Sequence, residues 1–258
     1  VFIILKGDIN MKFIDQLKER AKQNRKKIVL PETSDMRTIE AAGKVLAEGI
    51  ANIILVGDKE DIMSRAGDID LSGASFVDPK NYEKFDEYVD AFVEMRRKKG
   101  MTEARAKELL LTNPLYFGCM MVKQDDADGM VAGAINASAD VLRAALQTLK
   151  TAPGTRIVSA FFLVVVPDCQ YGANGTFVFA DAGLNQSPSA SELADIAEQS
   201  AKSFELLVDE TPVVAMLSHS TKGSAKHPDV DKVIEATEIV NAEFPDLLCD
   251  GELQSDAA

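Results

Sequence analysis

The chain has 258 residues, 46% of them hydrophobic and 27% charged, which favours a soluble folded protein over a disordered chain, a coiled coil or a membrane-inserted one. Its 41 acidic residues outnumber 28 basic ones, and the formal net charge of -13 repels nucleic-acid phosphates and anionic lipid. We therefore expect no nucleic-acid and no membrane partner. A small anionic ligand remains compatible with this charge, because two arginines in a cleft override the global field locally.

The three cysteines, Cys119, Cys169 and Cys249, form no CxxC pair and are odd in number, so they predict neither a disulfide framework nor a zinc site. His219 and His227 have no recognised metal-ligand spacing, and we expect no metal. Free thiols favour a cytoplasmic location. Residues 1–10 lack the basic region of a secretory signal, and we interpret them as an upstream extension before a start at Met11.

The first half of the chain alternates helical and strand patterns. Helical spacing over 12–24 precedes a strand at KKIVL, a helix that starts near Ser34 or Asp35 and stops at Gly49, and a strand that ends at Gly57. This order predicts a right-handed parallel unit. Two charged helices, at 82–99 and 102–111, are predicted to cover the sheet.

A short strand at 130–132 and a helix from about Ser138 precede the Pro-Gly break at 153–154, where we place a domain boundary. The first α/β domain is then 11–152 and the second 153–258. The second domain is predicted to hold strands and helices in an α/β order. Its strands are expected at 157–166, 176–181, 212–217 and 247–249, and its helices at 189–208 and 229–242.

A polar loop, PDCQYGANG, lies between two apolar runs, of which IVSAFFLVVV has the composition of a strand covered on both faces. Asp168, Cys169, Asn174 and Asp181 are then expected at strand ends, where open α/β sheets collect ligand groups. Asp168 beside Cys169 disfavours a nucleophilic thiolate, so a buried or substrate-lining thiol is favoured. Asp181 has three open roles: a base, a ligand to substrate hydroxyls or a helix cap.

Three cationic segments are candidates for phosphate binding, each beside a plainer interpretation. The loop SHSTKGSAKH at 218–227 offers amides, hydroxyls and Lys222, or is a solvated turn. Arg143, about one turn into a helix, is a phosphate ligand or a surface arginine. Arg96, in EMRRKKG, is a ligand or part of a solvated helix end.

Six stretches, in order, resemble the phosphate acetyltransferase (phosphotransacetylase) members of the phosphate acetyl/butyryltransferase family. They are VLPETSDMRTIEAA at 29–42, IILVGD at 53–58, DGMVAGAINASADVLR at 128–143, PDCQYGANGTFVFADAG at 167–183, AMLSHSTKGSAK at 215–226 and DGELQSDAA at 250–258.

The resemblance implies two α/β domains with a cleft between them, similar to the isocitrate and isopropylmalate dehydrogenase fold. It implies reversible acetyl transfer between coenzyme A and phosphate by direct thiolate attack. Coenzyme A and acetyl phosphate are then substrates, with no tightly bound cofactor, in a cytoplasmic homodimer. By this resemblance Arg143 binds the phosphate or coenzyme A end of the substrates, Arg96 contacts coenzyme A, and Cys169 lines the site without acting as a nucleophile. Four further residues belong to the cleft loop: Ser220, Thr221, Lys222 and Ser224.

The same resemblance places the family's catalytic carboxylate, with its serine and arginine neighbours, in a segment that would follow Ala258. The sequence is therefore expected to be C-terminally truncated and weak or inactive alone, with its catalytic residues unassigned. Two alternatives stay open. One is a phosphate butyryltransferase, and the other is a non-catalytic ligand-binding or oligomerisation module.

Overall fold

A parallel sheet of four short strands organises the first half of the chain. The computed structural model describes residues 8–258, and their side chains from Phe13 onward. Residues 1–10 are interpreted above as an upstream extension, and residues 1–7 of that segment lie outside the described residues. The described chain separates into two compact units, Gln16–Lys150 and Thr151–Ala258, the second grouped with Asp8–Asp15. The proposed domain boundary stays a prediction, because compactness alone does not show what folds independently.

The first unit alternates strands and helices, and the element bounds follow the predicted order. They are α1 Asp8–Gln23, β1 Lys27–Leu30, α2 Met36–Glu48, β2 Asn52–Val56, α3 Lys59–Ala66, β3 Ser75–Val77, α4 Phe85–Arg96, α5 Glu103–Thr112, α6 Pro114–Lys123, β4 Gly129–Met130 and α7 Ser138–Thr148.

Strand order in this sheet is β3-β2-β1-β4, and all neighbouring strands are parallel. The predicted parallel unit of β1, α2 and β2 is confirmed. Asp35 caps α2 by accepting from the Arg37 amide, and Gly49 ends the helix in the left-handed region at φ 67°. These are the local signals by which a helix start and stop are recognised.

Alternate strand residues face two helical layers. On one face Leu30 and Leu55 pack with α2 and α3, and on the other Val29 and Val56 pack with α4 to α7. Side chains of a strand alternate between the faces of its sheet, so a sheet covered on both sides needs apolar residues on each. The predicted α/β class is confirmed by this three-layer arrangement.

Two elements of the first unit differ from the sequence prediction. Helix α6 was not predicted as a separate element, because it is buried along nearly its whole length and shows no amphipathic pattern. Strand β4 occupies Gly129–Met130 instead of 130–132, since it pairs with β1 only at Ile28 and Val29. Beyond β4, the backbone amides turn toward the buried side chain of Glu32.

The second unit contains two strand pairs and two long helices. Its elements are β5 Phe161–Val165, β6 Thr176–Ala180, α8 Ala190–Val208, β7 Val213–Leu217, α9 Pro228–Glu243 and β8 Leu248–Leu253. Strands β7 and β8 are parallel, and α8 and α9 pack on this pair through small and β-branched residues such as Ala194, Ala236 and Val240. Ser189 caps α8 with a reciprocal Glu192 contact, the capping box of a well-defined helix start.

The apolar run at 157–166 is not the doubly covered strand that its composition predicts. β5 pairs antiparallel with β6 in a two-stranded hairpin, and both strands are mostly half-buried, with Phe179 53% exposed. Among residues 8–258 this pair has no neighbouring strand, whereas the strands of a parallel sheet are covered on both faces. The composition of the run indicated a strand but not its partner.

Strand β8 extends to Leu253, beyond the predicted 247–249, and the chain then forms a turn instead of opening a helix. The polar segment Asp250–Glu252 stays in the strand because its backbone pairs with β7 and Glu252 is satisfied by hydrogen bonds.

Candidate substrate-binding site

Arg96 and Arg143 line one cavity of about 370 Å³ within the first unit. The cavity lies among α4, α5, α6 and α7, so side chains far apart in sequence converge on it. Basic side chains outnumber acidic ones there, with Arg96, Lys99, Arg105 and Arg143 against Glu108. A cluster of this kind creates a local positive field in a protein whose overall charge is negative.

The two arginines differ in what already binds them. Arg143 is 57% exposed and donates to Asp140 one turn earlier on α7. Arg96 lies at the end of α4, and its buried Nε has no hydrogen-bond partner among the described residues. A buried donor without a partner costs free energy, so a ligand acceptor at Arg96 would remove that cost.

Tyr116 and Gln147 form a polar wall of the same cavity. The Tyr116 hydroxyl donates to Gln147 Oε1 at 3.1 Å. Burial raises the pKa of Tyr116, which keeps the phenol protonated as a hydrogen-bond donor. Gln147 lies one helical turn after Arg143, so α7 presents both side chains on one face.

The loop ahead of α7 is held by Glu32, a glutamate two residues after the end of β1. Glu32 is 2% exposed, and its carboxylate accepts from the amides of Gly133 and Ala134 at 2.6 Å each, Ile135 at 3.1 Å and Asn136 at 2.9 Å. Burial alone would raise the pKa of Glu32, but the Asn136 side chain and these amides outweigh it and lower the pKa. The carboxylate therefore stays ionised inside the fold.

Cys169 lies in the loop between β5 and β6 and is partly exposed. The antiparallel hairpin puts Asp168, Cys169 and Asn174 at its loop end and Asp181 at its opposite end. All four residues lie beyond strand ends, as expected, but the antiparallel pairing separates Asp181 from the other three.

Asp181 acts as an acceptor that closes a turn. It accepts from the amides of Leu184 at 2.6 Å and Asn185 at 3.2 Å, and from Asn185 Nδ2 at 2.8 Å. Burial would raise the pKa of Asp181, but these hydrogen bonds outweigh burial and lower the pKa. Of the three roles left open, this geometry is closest to the cap, although the capped segment is a turn and not the start of α8.

The loop at 218–226 follows β7 and is braced by β8. Lys222 donates to Asp250 Oδ1 at 2.6 Å, and the fully buried Ser220 hydroxyl donates to Glu252 Oε1 at 3.1 Å. The Gly223 amide donates to the same Glu252 oxygen at 2.6 Å. Hydrogen bonding to Gly223 lowers the pKa of Glu252, which is 3% exposed.

The backbone of this loop has few free donors for a phosphate. The Thr221 amide donates to Ser224 Oγ at 3.0 Å, and the Ala225 amide donates to Ser220 Oγ at 3.1 Å. The amide cradle expected from the sequence is thus already filled by protein acceptors. A substrate role of Ser220, Thr221, Lys222 and Ser224 through their side chains stays a prediction.

The predicted site residues fall into two groups by unit. Arg96 and Arg143 share the first-unit cavity, whereas Cys169 and the 218–226 loop belong to the second unit. Sequence reasoning missed Lys99, Arg105 and Glu32. Lys99 lies in the basic run that drew attention to Arg96, but Arg105 and Glu32 reach their places through tertiary packing that no local pattern reports.

A second cavity, of about 300 Å³, lies in the second unit. Leu193, Leu217 and Val233 line its apolar part, while His219 and Lys232 contribute to its polar rim. Among the described residues, no group of three or more histidines, cysteines or acids is arranged to hold a metal ion. Over the same part of the chain, no helix is long and apolar enough to cross a bilayer.

Residues 12–258 match the family model described as phosphate acetyl/butaryl transferase. The chain belongs to this family. It is similar to the phosphate acetyltransferases of Acetivibrio thermocellus, 53% identical over 248 residues, and of Thermoanaerobacterium thermosaccharolyticum, 54% identical over 248 residues. Each match covers 96% of this chain, and the chain spans 74% and 75% of the two relatives.

The family assignment agrees with the fold. A phosphotransacetylase from Streptococcus pyogenes superposes with a TM-score of 0.87 at 41% identity, over 96% of this chain and 74% of that one. The predicted family is confirmed, and by family the chain is an acyltransferase of the phosphate acetyltransferase type.

Proposed function

We propose that this chain catalyses, or supplies the substrate-binding part of, reversible acetyl transfer between coenzyme A and phosphate. The observation that carries the proposal is the convergence of Arg96 and Arg143 on one basic cavity. Coenzyme A brings several phosphate charges, and guanidinium groups bind phosphate oxygens bidentately. The buried Nε of Arg96 has no hydrogen-bond partner among the described residues, so a phosphate oxygen bound there would satisfy it.

The chemistry is a direct transfer. The coenzyme A thiolate attacks the carbonyl carbon of acetyl phosphate, a C–S bond forms, and the C–O bond to phosphate breaks with its electron pair leaving on phosphate. The thiol proton passes to a base that is not assigned among these residues. Cys169, Ser220, Thr221, Lys222 and Ser224 are proposed to contact substrate without forming an acyl-enzyme.

We extend the proposal to the setting of the enzyme. The acetyl donor is acetyl phosphate, the location is the cytoplasm and the assembly is a homodimer. The free state of Cys119, Cys169 and Cys249 supports a reducing compartment. The two-domain organisation, 11–152 and 153–258, is proposed for the same chain and is compatible with a compact unit on either side of Thr151.

Titration calorimetry with coenzyme A tests the cavity. We expect Arg96→Ala and Arg143→Ala each to weaken binding about 10-fold or more, because each removes a charge-assisted hydrogen bond. Arg97→Ala is the matched control, since Arg97 is 72% exposed and pairs with Glu94 outside the cavity. Equal effects of all three changes would refute the assignment of the cavity.

A parallel assay measures thioester formation from acetyl phosphate and coenzyme A, with butyryl phosphate as the competing donor. Turnover that favours the acetyl donor and falls in the two cavity variants is the expected result. Preference for the butyryl donor would overturn the acetyl assignment while leaving the coenzyme A site intact.

A further inference from the structure

The order in which the chain adds strands to the first unit's parallel sheet reverses between β1 and β4. From β1 the strand order runs outward to β2 and β3 on one side and to β4 on the other. Loops that follow the two strands at such a reversal separate and leave a crevice, the usual ligand-binding place in open α/β sheets. Here Glu32 comes from the loop after β1 and reaches the loop after β4.

The Glu32 carboxylate fills a backbone cradle that has the form of an anion site. Four consecutive amides, from Gly133 to Asn136, point at its two oxygens, as does the Asn136 side chain at 2.7 Å. The partners are 101 to 104 residues away in sequence, so the contact is purely tertiary. Consecutive amides of this kind bind anions, and without the carboxylate they would be left unsatisfied.

The start of α7 depends on this cradle. Its N-cap position is Ala137, whose methyl side chain offers no acceptor to the first helical amides. The cradle ends at Asn136, one residue before that cap. The Ala134 carbonyl is held from the other side by Arg37, which donates to it at 2.5 Å. The entry of α7 is therefore fixed by groups outside the helix, chiefly Glu32.

We propose that Glu32 is a positioning residue that sets the start of α7 and thereby the place of Arg143 in the basic cavity. Arg143 lies in the second turn of this helix, so a shift of the helix start moves its guanidinium relative to Arg96. The inference rests on the proposed function in one respect, that Arg143 contacts coenzyme A. Glu32 itself does not line the cavity.

The test combines hydrogen exchange with binding. In Glu32→Gln, which keeps side-chain volume, we expect amide exchange to rise about 10-fold over 133–141 and coenzyme A affinity to fall about 10-fold. In Glu32→Ala, formate is expected to enter the vacated cradle and restore affinity. On an Arg143→Ala background, Glu32→Ala is expected to lower coenzyme A affinity by less than about 2-fold further, because both changes remove the same interaction.

Asp126→Asn is the matched control, a largely buried carboxylate of the same unit outside the cavity. It should leave exchange over 133–141 and coenzyme A affinity unchanged and show no response to formate. Unchanged exchange in Glu32→Gln, or a rise that is not concentrated in 133–141, would overturn the inference. So would full additivity with Arg143→Ala.

Failure of the proposed function is separately visible. If the unaltered chain does not bind coenzyme A, the cavity assignment falls. The exchange data and their reversal by formate then decide alone whether Glu32 sets the start of α7.

Discussion

Gly175 closes the loop that presents Cys169. Its φ is +85°, its amide donates to the Tyr171 carbonyl at 2.8 Å, and its carbonyl accepts from the Val166 amide at 2.8 Å. A Cβ at this position would lie 2.1 Å from the Val166 carbonyl oxygen and 3.1 Å from Cys169 Cβ. The backbone conformation and the close approach both require glycine here.

Gly175→Ala is expected to lower the free energy of unfolding by about 2 kcal/mol or more, because the strain of a positive φ adds to a backbone clash. Urea denaturation measures the change. Gly100→Ala is the control, since Gly100 has φ +76° but nothing within 4 Å of an added Cβ. Gly100→Ala should lower the free energy of unfolding by about 1 kcal/mol. Equal losses in the two variants would show that the contact with Val166 does not contribute.

At the scale of elements, Asp126 joins the start of α4 to the segment after α6. Its carboxylate accepts from Tyr88 at 2.5 Å and Tyr82 at 3.2 Å, and from Lys84. Burial, which would raise the pKa of Asp126, is outweighed by the hydrogen bonds from Lys84 and Tyr88, which lower it. Burial and the hydrogen bonds with Asp126 and Tyr82 raise the pKa of Tyr88, so the phenol remains a donor.

Asp126→Asn is expected to reduce stability by about 1–3 kcal/mol at neutral pH, through loss of a buried charged acceptor. Because the folded pKa lies below the unfolded value of 3.8, this stabilisation is complete above about pH 5 and is lost as pH falls below about 4. Chemical denaturation across that range should therefore show the two proteins converging. Asp86→Asn, at an 86% exposed residue, should show no such trend.

Elements with local start and stop signals were predictable from sequence, whereas strand partners were not. Helix α2 follows from Asp35 and Gly49, because caps act within a few residues. The hairpin partner of β5 and the length of β8 depend on contacts between distant segments. The candidate site divides in the same way. Arg143 was a candidate from its place early in a helix and gained its role by resemblance, while Glu32 acts across more than 100 residues.

At the scale of the molecule, the boundary between the two units falls between Lys150 and Thr151. Lys150 and Thr151–Gly154 are exposed, whereas Arg156 donates to Asp195 on α8 at 2.8 and 2.6 Å. A protease needs an extended, accessible segment, and trypsin also needs the basic side chain to be free. Trypsin is therefore expected to reach the peptide bond after Lys150 more readily than the bond after Arg156.

Limited trypsin digestion is expected to cut first after Lys150 and to release two protease-resistant fragments. Asp195→Ala should increase cleavage after Arg156, because it removes the bidentate partner of the guanidinium and leaves only the longer contact with Glu243 at 3.7 Å. Lys150→Gln should remove the first cut. Mass spectrometry of the time course identifies the fragments. Rapid loss of either fragment would contradict the proposed division into two domains.

Carboxylates hold both loops that adjoin candidate ligand residues, Glu32 in the first unit and Glu252 in the second. The fixed backbone donors of these loops are therefore already committed. The phosphate contacts proposed above would then fall to lysine and arginine side chains, which end in a charged group after several rotatable bonds. Capture and release of a substrate through such groups would not require the main chain to rearrange.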